Sequence, residues 1–377
     1  MGKQARLQFI DLLRGAAVIV MVEVHVFNAF LQSQFRATEW FTVLNYINGL
    51  VAPSFVFISG FVFIIASQRK LDEYRTFGNA FWKQIWRIAL IWIVGYSLHL
   101  PYFSFHRMMT ETSAADWLKF YQADVLHCIA VGLLCLFILR IQISSRKVYE
   151  IVLLCIAVIV VALTPFVWKI DFLTILPAPI AAYFNGLHYS QFPLFPWSGF
   201  MFFAGYAASK YLIARENGKE LSFMKRFGLI GMILFLCGGA MRLLHVGASI
   251  IGSDVRANPF FFVERLGLVM ALLFLCWSIT QKRTPYQFIL ASGRQSLLAY
   301  ASHLVVIYGR YLNGYSLAYL YKRALDPIEC TIATLALITA VALASFGWDW
   351  LKRNHLPLAQ TAFGVFAVTM IVEFFIH

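Results

Sequence analysis

Residues 9–28 read FIDLLRGAAVIVMVEVHVFN, an apolar stretch interrupted by four ionisable side chains. The stretch is long enough to cross the hydrocarbon core of a bilayer as a helix. An ionisable residue inside such a helix is costly, so each is a candidate for function: Asp11, Arg14, Glu23 and His25. Ten residues separate Arg14 from His25, which places both on one helix face roughly 16 Å apart. One face of this helix therefore carries polar groups at two depths.

The composition of the whole chain is that of a membrane protein. Of its 377 residues, 60% are hydrophobic and 13% are charged, whereas a soluble protein carries about 25% charged residues. We predict an all-α, polytopic integral membrane protein that forms a single transmembrane domain over residues 1–377. The first apolar run has no small-residue cleavage site after it and contains charges, so we interpret it as a retained helix and not a signal peptide.

Apolar runs of about 17–25 residues place the spans. We predict about eleven transmembrane helices, at residues 7–31, 45–68, 83–103, 124–140, 148–167, 194–213, 226–246, 260–280, 289–310, 329–350 and 357–376. Pro53 lies near the middle of the second run and predicts a kink there. The connection 168–193 is rich in turn-forming residues and is either an acceptor-binding lid or a solvated connector.

The distribution of Lys and Arg predicts the orientation. With eleven spans, one set of connections carries 20 basic residues and the alternate set carries 8. The positive-inside rule then places the N-terminus in the cytoplasm and the C-terminus outside, in what we expect to be a bacterial inner membrane. This bias also accounts for the net charge of +13, so we expect no nucleic-acid partner.

The six cysteines are scattered singly through the chain, mostly within apolar runs. No pair has the spacing of a metal site, so we interpret them as small core residues and expect neither a disulfide nor a bound metal.

Three basic residues lie towards the predicted cytoplasmic side. Lys83 and Arg87 are four residues apart on the third span, and Arg14 lies in the inner half of the first. Together they can hold the phosphates of an anionic cofactor, since Arg gives bidentate contacts. The alternatives are that Lys83 and Arg87 extend to lipid headgroups and that Asp11 pairs with Arg14 only to fix helix packing.

The predicted outer side is richer in ionisable groups. Three pairs lie near the ends of the fourth, seventh and eighth spans, and we regard all six residues as candidates for substrate binding: Asp124 with His127, Arg242 with His245, and Glu264 with Arg265. A purely structural ion pair between Arg242 and Glu264 is the alternative for those two residues.

The ninth span carries a polar stripe. Ser296, Tyr300, His303 and Arg310 define one helix face, which must contact protein or a water-filled cavity. We favour a cavity over simple interhelical hydrogen bonding. Because a histidine near neutral pKa suits proton removal, these residues predict transmembrane group transfer or proton-coupled transport.

Several segments extend this interpretation through a family resemblance. RLQFIDLLRGAAVIVMVEVH resembles the first helix of membrane-bound acyltransferases of the acyltransferase-3-like superfamily, whose pattern Asp11, Arg14, Gly15 and His25 match position by position. PSFVFISGF at 53–61 resembles the second-helix motif. DVLHCIAVGLL at 124–134, FPWSGFMFFAGYA at 195–207 and GRQSLLAYASHL at 293–304 are similar to segments of the branch that includes the heparan-α-glucosaminide N-acetyltransferase catalytic region.

The resemblance implies transfer of an acyl group, most simply acetyl, from cytoplasmic acyl-CoA to a carbohydrate outside the cytoplasm. The catalytic set would be His25, Arg14, Tyr300 and His303, with His25 as base or transient acyl carrier. Arg14, Lys83, Arg87 and Ser296 would attend the acetyl-CoA donor. Whether O- or N-acylation takes place stays open. The alternative function is a transporter or exporter of a polar or lipid-linked sugar.

Overall fold

The computed structural model describes residues 7–247, 254–309 and 315–376, and the secondary structure within these ranges is helical. The α-helices are α1 Gln8–Phe30, α2 Glu39–Asn48, α3 Val51–Ser67, α4 Leu71–Arg75, α5 Asn79–Leu98, α6 Phe105–Glu111, α7 Ala114–Phe120, α8 Val125–Gln142, α9 Arg146–Val167, α10 Ala178–Ala181, α11 Leu194–Glu216, α12 Glu220–Leu243, α13 Pro259–Lys282, α14 Gln287–Arg294, α15 Ser296–Tyr308, α16 Leu317–Tyr321, α17 Pro327–Asn354 and α18 Leu356–Ile376. Short 3₁₀ turns occupy Ser33–Ala37, Phe172–Thr174 and Val255–Ala257.

The long helices confirm an all-α, multi-pass membrane protein. Seven helical segments in the described part of the chain are long and apolar enough to cross a membrane: Glu39–Ser67, Val125–Gln142, Arg146–Val167, Glu220–Leu243, Pro259–Lys282, Pro327–Asn354 and Leu356–Ile376. The predicted spans on α1, α5, α11 and α14–α15 fall outside this set, the last because it consists of two helices of 8 and 13 residues. The number eleven therefore stays a prediction.

The chain forms two compact units, the first comprising Met1–Ser54, Phe103–His106 and Leu275–His377, and the second Phe55–Tyr102 and Arg107–Phe274. In the first unit α1 packs against α14, α15 and α17. The backbones of α1 and α14 touch at two glycines. A Cβ on Gly15 would overlap the carbonyl oxygen of Ile289, and one on Gly293 would overlap that of Asp11. The single domain predicted over residues 1–377 stays a prediction.

The C-terminal half of α1 lies in an apolar core. Val22, Val26 and Leu31 are at most 1% exposed and pack with Ile307 of α15 and Cys330 of α17. An isolated parallel bridge between Leu31 and Leu325 fixes the chain where α1 ends. This core holds the C-terminal part of α1 against the helix that carries His303.

The second unit is built on close packing of α9 with α11 and of α5 with α8. Met201 of α11 lies at its centre, because its carbonyl oxygen meets Gly60 of α3 and its sulfur meets Gly132 of α8. A buried carboxylate links α9 to α11: Glu150 accepts hydrogen bonds from Ser209, at 2.6 Å, and from Lys210. The packing of α5 with α8 brings the end of α5 to the start of α8, where polar side chains collect.

The prediction of one continuous ninth helix over residues 289–310 was wrong. The helix breaks at Gln295, whose backbone leaves helical geometry at φ −105° and ψ 33°. Side chains at the break bind Asp349 of α17: Arg294 donates from Nη2 at 2.6 Å, and Gln295 donates from Nε2 at 3.0 Å. Hydrogen bonding to a neighbouring helix thus accompanies the break, which falls in the polar residues 292–296 of the stretch.

The predicted mid-helix kink at Pro53 was also wrong. The chain turns before Pro53, because α2 ends at Asn48 and α3 begins at Val51. Pro53 therefore lies in the first turn of α3, where its missing N–H has no intrahelical partner to lose.

The contact of α1 with α14 predicts the response to added methyl groups. Gly293→Ala should destabilise the protein by about 1–3 kcal/mol, because the new Cβ overlaps a backbone carbonyl that has no side-chain freedom to yield. The measurement is thermal unfolding of the purified protein in detergent. Gly347→Ala in α17 is the matched control, since a Cβ there meets no atom within 4 Å. Equal stability of both variants would contradict the close contact.

Candidate active site

Two histidines face each other in the first unit. The ring centroids of His25 on α1 and His303 on α15 lie 5.1 Å apart, with the planes inclined by 50°. His303 is fully buried, and its Nδ1 lies 2.7 Å from the carbonyl oxygen of Ala299. Because a carbonyl only accepts, Nδ1 carries the proton and Nε2 carries a lone pair. That Nε2 has no hydrogen-bond partner among the described residues.

Tyrosines flank this pair on α15. The hydroxyl of Tyr308 lies 3.5 Å from Nδ1 of His25, and its ring stands nearly perpendicular to the imidazole. Tyr300 lies on the other side, with its ring centroid 5.9 Å from that of His303. The four side chains bring two imidazoles and two phenols together. One imidazole nitrogen of this group can accept a proton, and the neighbouring side chains can share the resulting positive charge.

The other predicted residues of this unit lie nearer the helix starts. Arg14 lies in the N-terminal half of α1 and is partly buried, and Ser296 begins α15 after the break. Arg310, the fourth member of the predicted stripe, lies outside the described residues. The pairing of Asp11 with Arg14 stays a prediction.

Lys83 and Arg87 line one pocket of the second unit. They lie on α5 with Ala80 and Gln84, and the pocket is completed by Lys70 and Glu73. Its one carboxylate is already engaged, because Glu73 accepts a hydrogen bond from the backbone N–H of Ala80 at 3.0 Å. Three cationic side chains against one engaged carboxylate make the pocket suitable for a phosphate-bearing ligand.

Asp124 and His127 begin α8, as predicted. Asp124 is the N-cap: its carboxylate accepts hydrogen bonds from the backbone N–H groups of Leu126 and His127. The Nδ1 of His127 lies 2.9 Å from one carboxylate oxygen, and Nε2 of His99 lies 3.1 Å from the other. His127 is fully buried and its Nε2 has no partner in the described ranges. The cluster is an ionised carboxylate with two histidines around it.

This cluster also has the donor set of a metal site. His99, Asp124 and His127 offer ligand atoms within 4.8 Å of one another. Hydrogen bonds explain the same distances, since each histidine can donate one N–H to the carboxylate. The prediction that the protein binds no metal therefore stays a prediction.

An aromatic hydrogen-bond chain borders the cluster. The hydroxyl of Tyr183 accepts from the indole N–H of Trp92 at 2.9 Å and lies 3.2 Å from the hydroxyl of Tyr96. The ring of Tyr96 packs against His127, with centroids 4.1 Å apart. Burial, and next the hydrogen bond with Tyr96, raise the pKa of Tyr183 in the loop 168–193. Its hydroxyl therefore stays protonated.

The contacts of the remaining candidates for substrate binding differ from one residue to the next. Arg242 binds Glu264 through Nε at 2.7 Å, and Glu264 is 2% exposed, which fits the structural alternative for this pair. The predicted helical pairing of Arg242 with His245 was wrong, because α12 ends at Leu243 and His245 adopts a left-handed φ of 53°. Arg265 is buried and lies over the ring of Phe261.

Sequence reasoning missed Tyr308, His99 and Asn48. Tyr308 lies five positions after His303, an offset of about 140° that removes it from the predicted stripe. His99 follows α5, and only the packing of α5 against α8 brings it to Asp124. Asn48 ends α2 and hydrogen-bonds the Glu23 carboxyl. Each of these residues reaches its partner through a tertiary contact that no local sequence pattern shows.

Comparison with protein families places much of this chain. The family model described as heparan-alpha-glucosaminide N-acetyltransferase, catalytic, matches residues 6–244, more than half of the chain. The matched range contains Arg14, His25, Lys83, Arg87 and the Asp124 cluster, whereas α13 to α18, with His303, follow it. None of the curated proteins matches this chain.

Proposed function

This chain belongs to the heparan-alpha-glucosaminide N-acetyltransferase catalytic family, and we propose that it transfers an acetyl group from cytoplasmic acetyl-CoA to a carbohydrate outside the cytoplasm. The observation that carries the proposal is the His25–His303 pair, in which a partnerless imidazole nitrogen meets a second imidazole within the membrane domain. Family membership supports the acetyl chemistry, and the pair supplies a base for it.

We assign His25 as the base that activates the acceptor. When the Nδ1–H of His25 donates to the oxygen of Tyr308, Nε2 is free to take a proton from the acceptor hydroxyl or amine. The acceptor atom then bonds to the acetyl carbonyl carbon, the thioester C–S bond breaks, and the coenzyme A thiolate takes up a proton. General base catalysis of this kind contributes about 10²–10⁴-fold to a rate.

We assign His303 as the residue that stabilises the protonated His25. Its tautomer is fixed by the Ala299 carbonyl, so its Nε2 can only accept. A neighbouring acceptor favours the imidazolium that forms when His25 takes the proton. Tyr300 packs against His303 and holds its ring. Arg14, on the same face of α1 as His25 but deeper towards the cytoplasm, is proposed to contact the donor.

The donor is proposed to bind through its phosphates. Lys83 and Arg87, joined by Lys70, provide an excess of positive charge in the pocket at the start of α5. Arg and Lys side chains bind phosphate through charge-assisted hydrogen bonds. Arg14 and Ser296 lie in the first unit and are proposed as donor contacts from the sequence alone. In the proposed orientation the N-terminus is cytoplasmic and the C-terminus lies outside, in a bacterial inner membrane.

The acceptor is proposed to be a sugar that binds where α5 ends and α8 begins. Polar groups lie next to aromatic rings there: Asp124 and His127 contact Tyr96 and His99, and Trp117 stacks on Tyr121 nearby. Such mixed surfaces bind carbohydrates through ring stacking and hydrogen bonds. His245 and Arg265 remain candidates for the acceptor, whereas the ion pair of Arg242 with Glu264 favours a structural role for both.

Substitution of His25 tests the base. His25→Ala should lower acetyl transfer to a glucosamine acceptor by about 10²–10⁴-fold, and Tyr308→Phe by about tenfold, because the second change removes one hydrogen bond only. Activity is measured with labelled acetyl-CoA on protein of unchanged melting temperature. His355→Ala, an exposed histidine between α17 and α18, is the control and should keep full activity. A fully active, folded His25→Ala would overturn the assignment.

Binding of coenzyme A separates the proposed enzyme from a transporter. Coenzyme A should raise the melting temperature of the parent protein, and Lys83→Ala and Arg87→Ala should each reduce that rise. Lys147→Ala, an exposed lysine at the start of α9 that does not line the pocket, should leave the rise unchanged. No rise in the parent protein would favour the alternative, a transporter of a polar or lipid-linked sugar.

A further inference from the structure

Glu23 is an ionisable side chain of α1 that the proposed reaction does not use. It precedes His25 by two residues, which turns it about 160° away around the helix. A carboxylate in a membrane helix is costly unless it is paired or neutralised. The two glutamates that are buried in the described ranges have cations beside them, since Glu264 binds Arg242 and Glu150 binds Lys210.

The partner of Glu23 is an amide. Asn48, the last residue of α2, is 8% exposed and hydrogen-bonds the Glu23 carboxyl. Two oxygens of this pair, Oε1 of Glu23 and Oδ1 of Asn48, are buried and have no hydrogen-bond partner among the described residues. A carboxylate oxygen and an amide oxygen both only accept. The pair as a whole therefore lacks one donor.

A single proton supplies that donor. On a protonated carboxyl, the O–H of Glu23 donates to Oδ1 of Asn48 while the Asn48 amide N–H donates to the other carboxyl oxygen. The result is a closed acid–amide pair with two hydrogen bonds and no net charge. Such a pair satisfies the buried groups at low cost in an apolar environment, which an ionised Glu23 does not.

We propose that Glu23 and Asn48 form a proton-binding site of the first unit, in which the Glu23 carboxyl is protonated at neutral pH. The occupant is a proton and not a metal cation, because one proton completes the hydrogen bonding of both orphan oxygens. The site lies outside the acetyl-transfer residues, and it stands whether or not the proposed acetyl transfer is correct. Its chemistry also makes Glu23 a modification site for reagents that attack protonated carboxyls.

A hydrophobic carbodiimide tests the protonation state in the full-length protein in detergent at neutral pH. The carbodiimide takes the carboxyl proton on nitrogen, and the carboxyl oxygen bonds to its central carbon, so the adduct forms by addition with no leaving group. Peptide mass spectrometry should find the adduct on Glu23. Glu264 is the control, since it is also a glutamate of a long apolar helix but is ion-paired with Arg242, and it should stay unmodified.

Infrared spectroscopy provides a measurement that does not depend on reagent access. The parent protein should show the C=O stretch of a protonated carboxylic acid at neutral pH, and Glu23→Gln should lack it. Glu23→Gln should also keep the melting temperature, because its amide replaces the neutral acid, whereas Asn48→Leu should lower it. Absence of the acid band, or protection of Glu23 by sodium but not potassium, would overturn the proposal.

Discussion

The close contact of α1 with α14 at Gly15 and Gly293 is the constraint on which the candidate active site depends. Without side chains at these positions the two backbones meet, and the carbonyl oxygens of Asp11 and Ile289 occupy the space of a methyl group. α15 follows α14 after a break of one residue, so its position relative to α1 is set by this contact. His303 consequently faces His25 across a distance that a wider helix packing would not allow.

The polar residues of the membrane domain fall into two classes that the sequence alone does not separate. Arg242 with Glu264, and Arg294 with Asp349, have partners of opposite charge, and these pairs join neighbouring helices. Removal of one partner from such a buried pair leaves an uncompensated charge, so the pairs are structural necessities. His25, His303 and Glu23 lie within the membrane domain without a partner of opposite charge in the described ranges. Groups of the second class are where chemistry is expected.

The lengths of the apolar runs predict much of the fold, and the predictions that were wrong have physical causes. Apolar runs predicted α1, α8, α9 and α18 to within a few residues, because lipid contact demands the same pattern along the whole span. The break at Gln295 was missed because Asp349, its cause, lies more than 50 residues away. Pro53 was misplaced because the predicted run began at residue 45 and so included the turn at Asn48 and Gly49. The hydrophobicity of a segment predicts its contact with lipid, but it does not predict the contacts that the segment makes with a neighbouring helix.

The candidate site was predicted only in part, because the sequence shows local helix geometry but not which helices pack together. The spacing of Arg14 and His25 is a property of one helix, so it can be derived from the sequence, and the i, i+3 pairing of Asp124 with His127 is likewise local. Tyr308 and His99 reach their partners only through helix packing. His245 was placed on a helix that ends two residues before it. Local periodicity thus predicts the faces, and tertiary contacts determine which faces meet.

In the proposed reaction, His25 and His303 act as one unit in acetyl transfer. The most direct measurement compares the turnover of His25→Ala, His303→Ala and the double variant with labelled acetyl-CoA, all at unchanged melting temperature. Because His303 acts only through the protonated His25, the double variant should be no slower than His25→Ala alone. Independent effects, in which the two losses multiply, would contradict the claim.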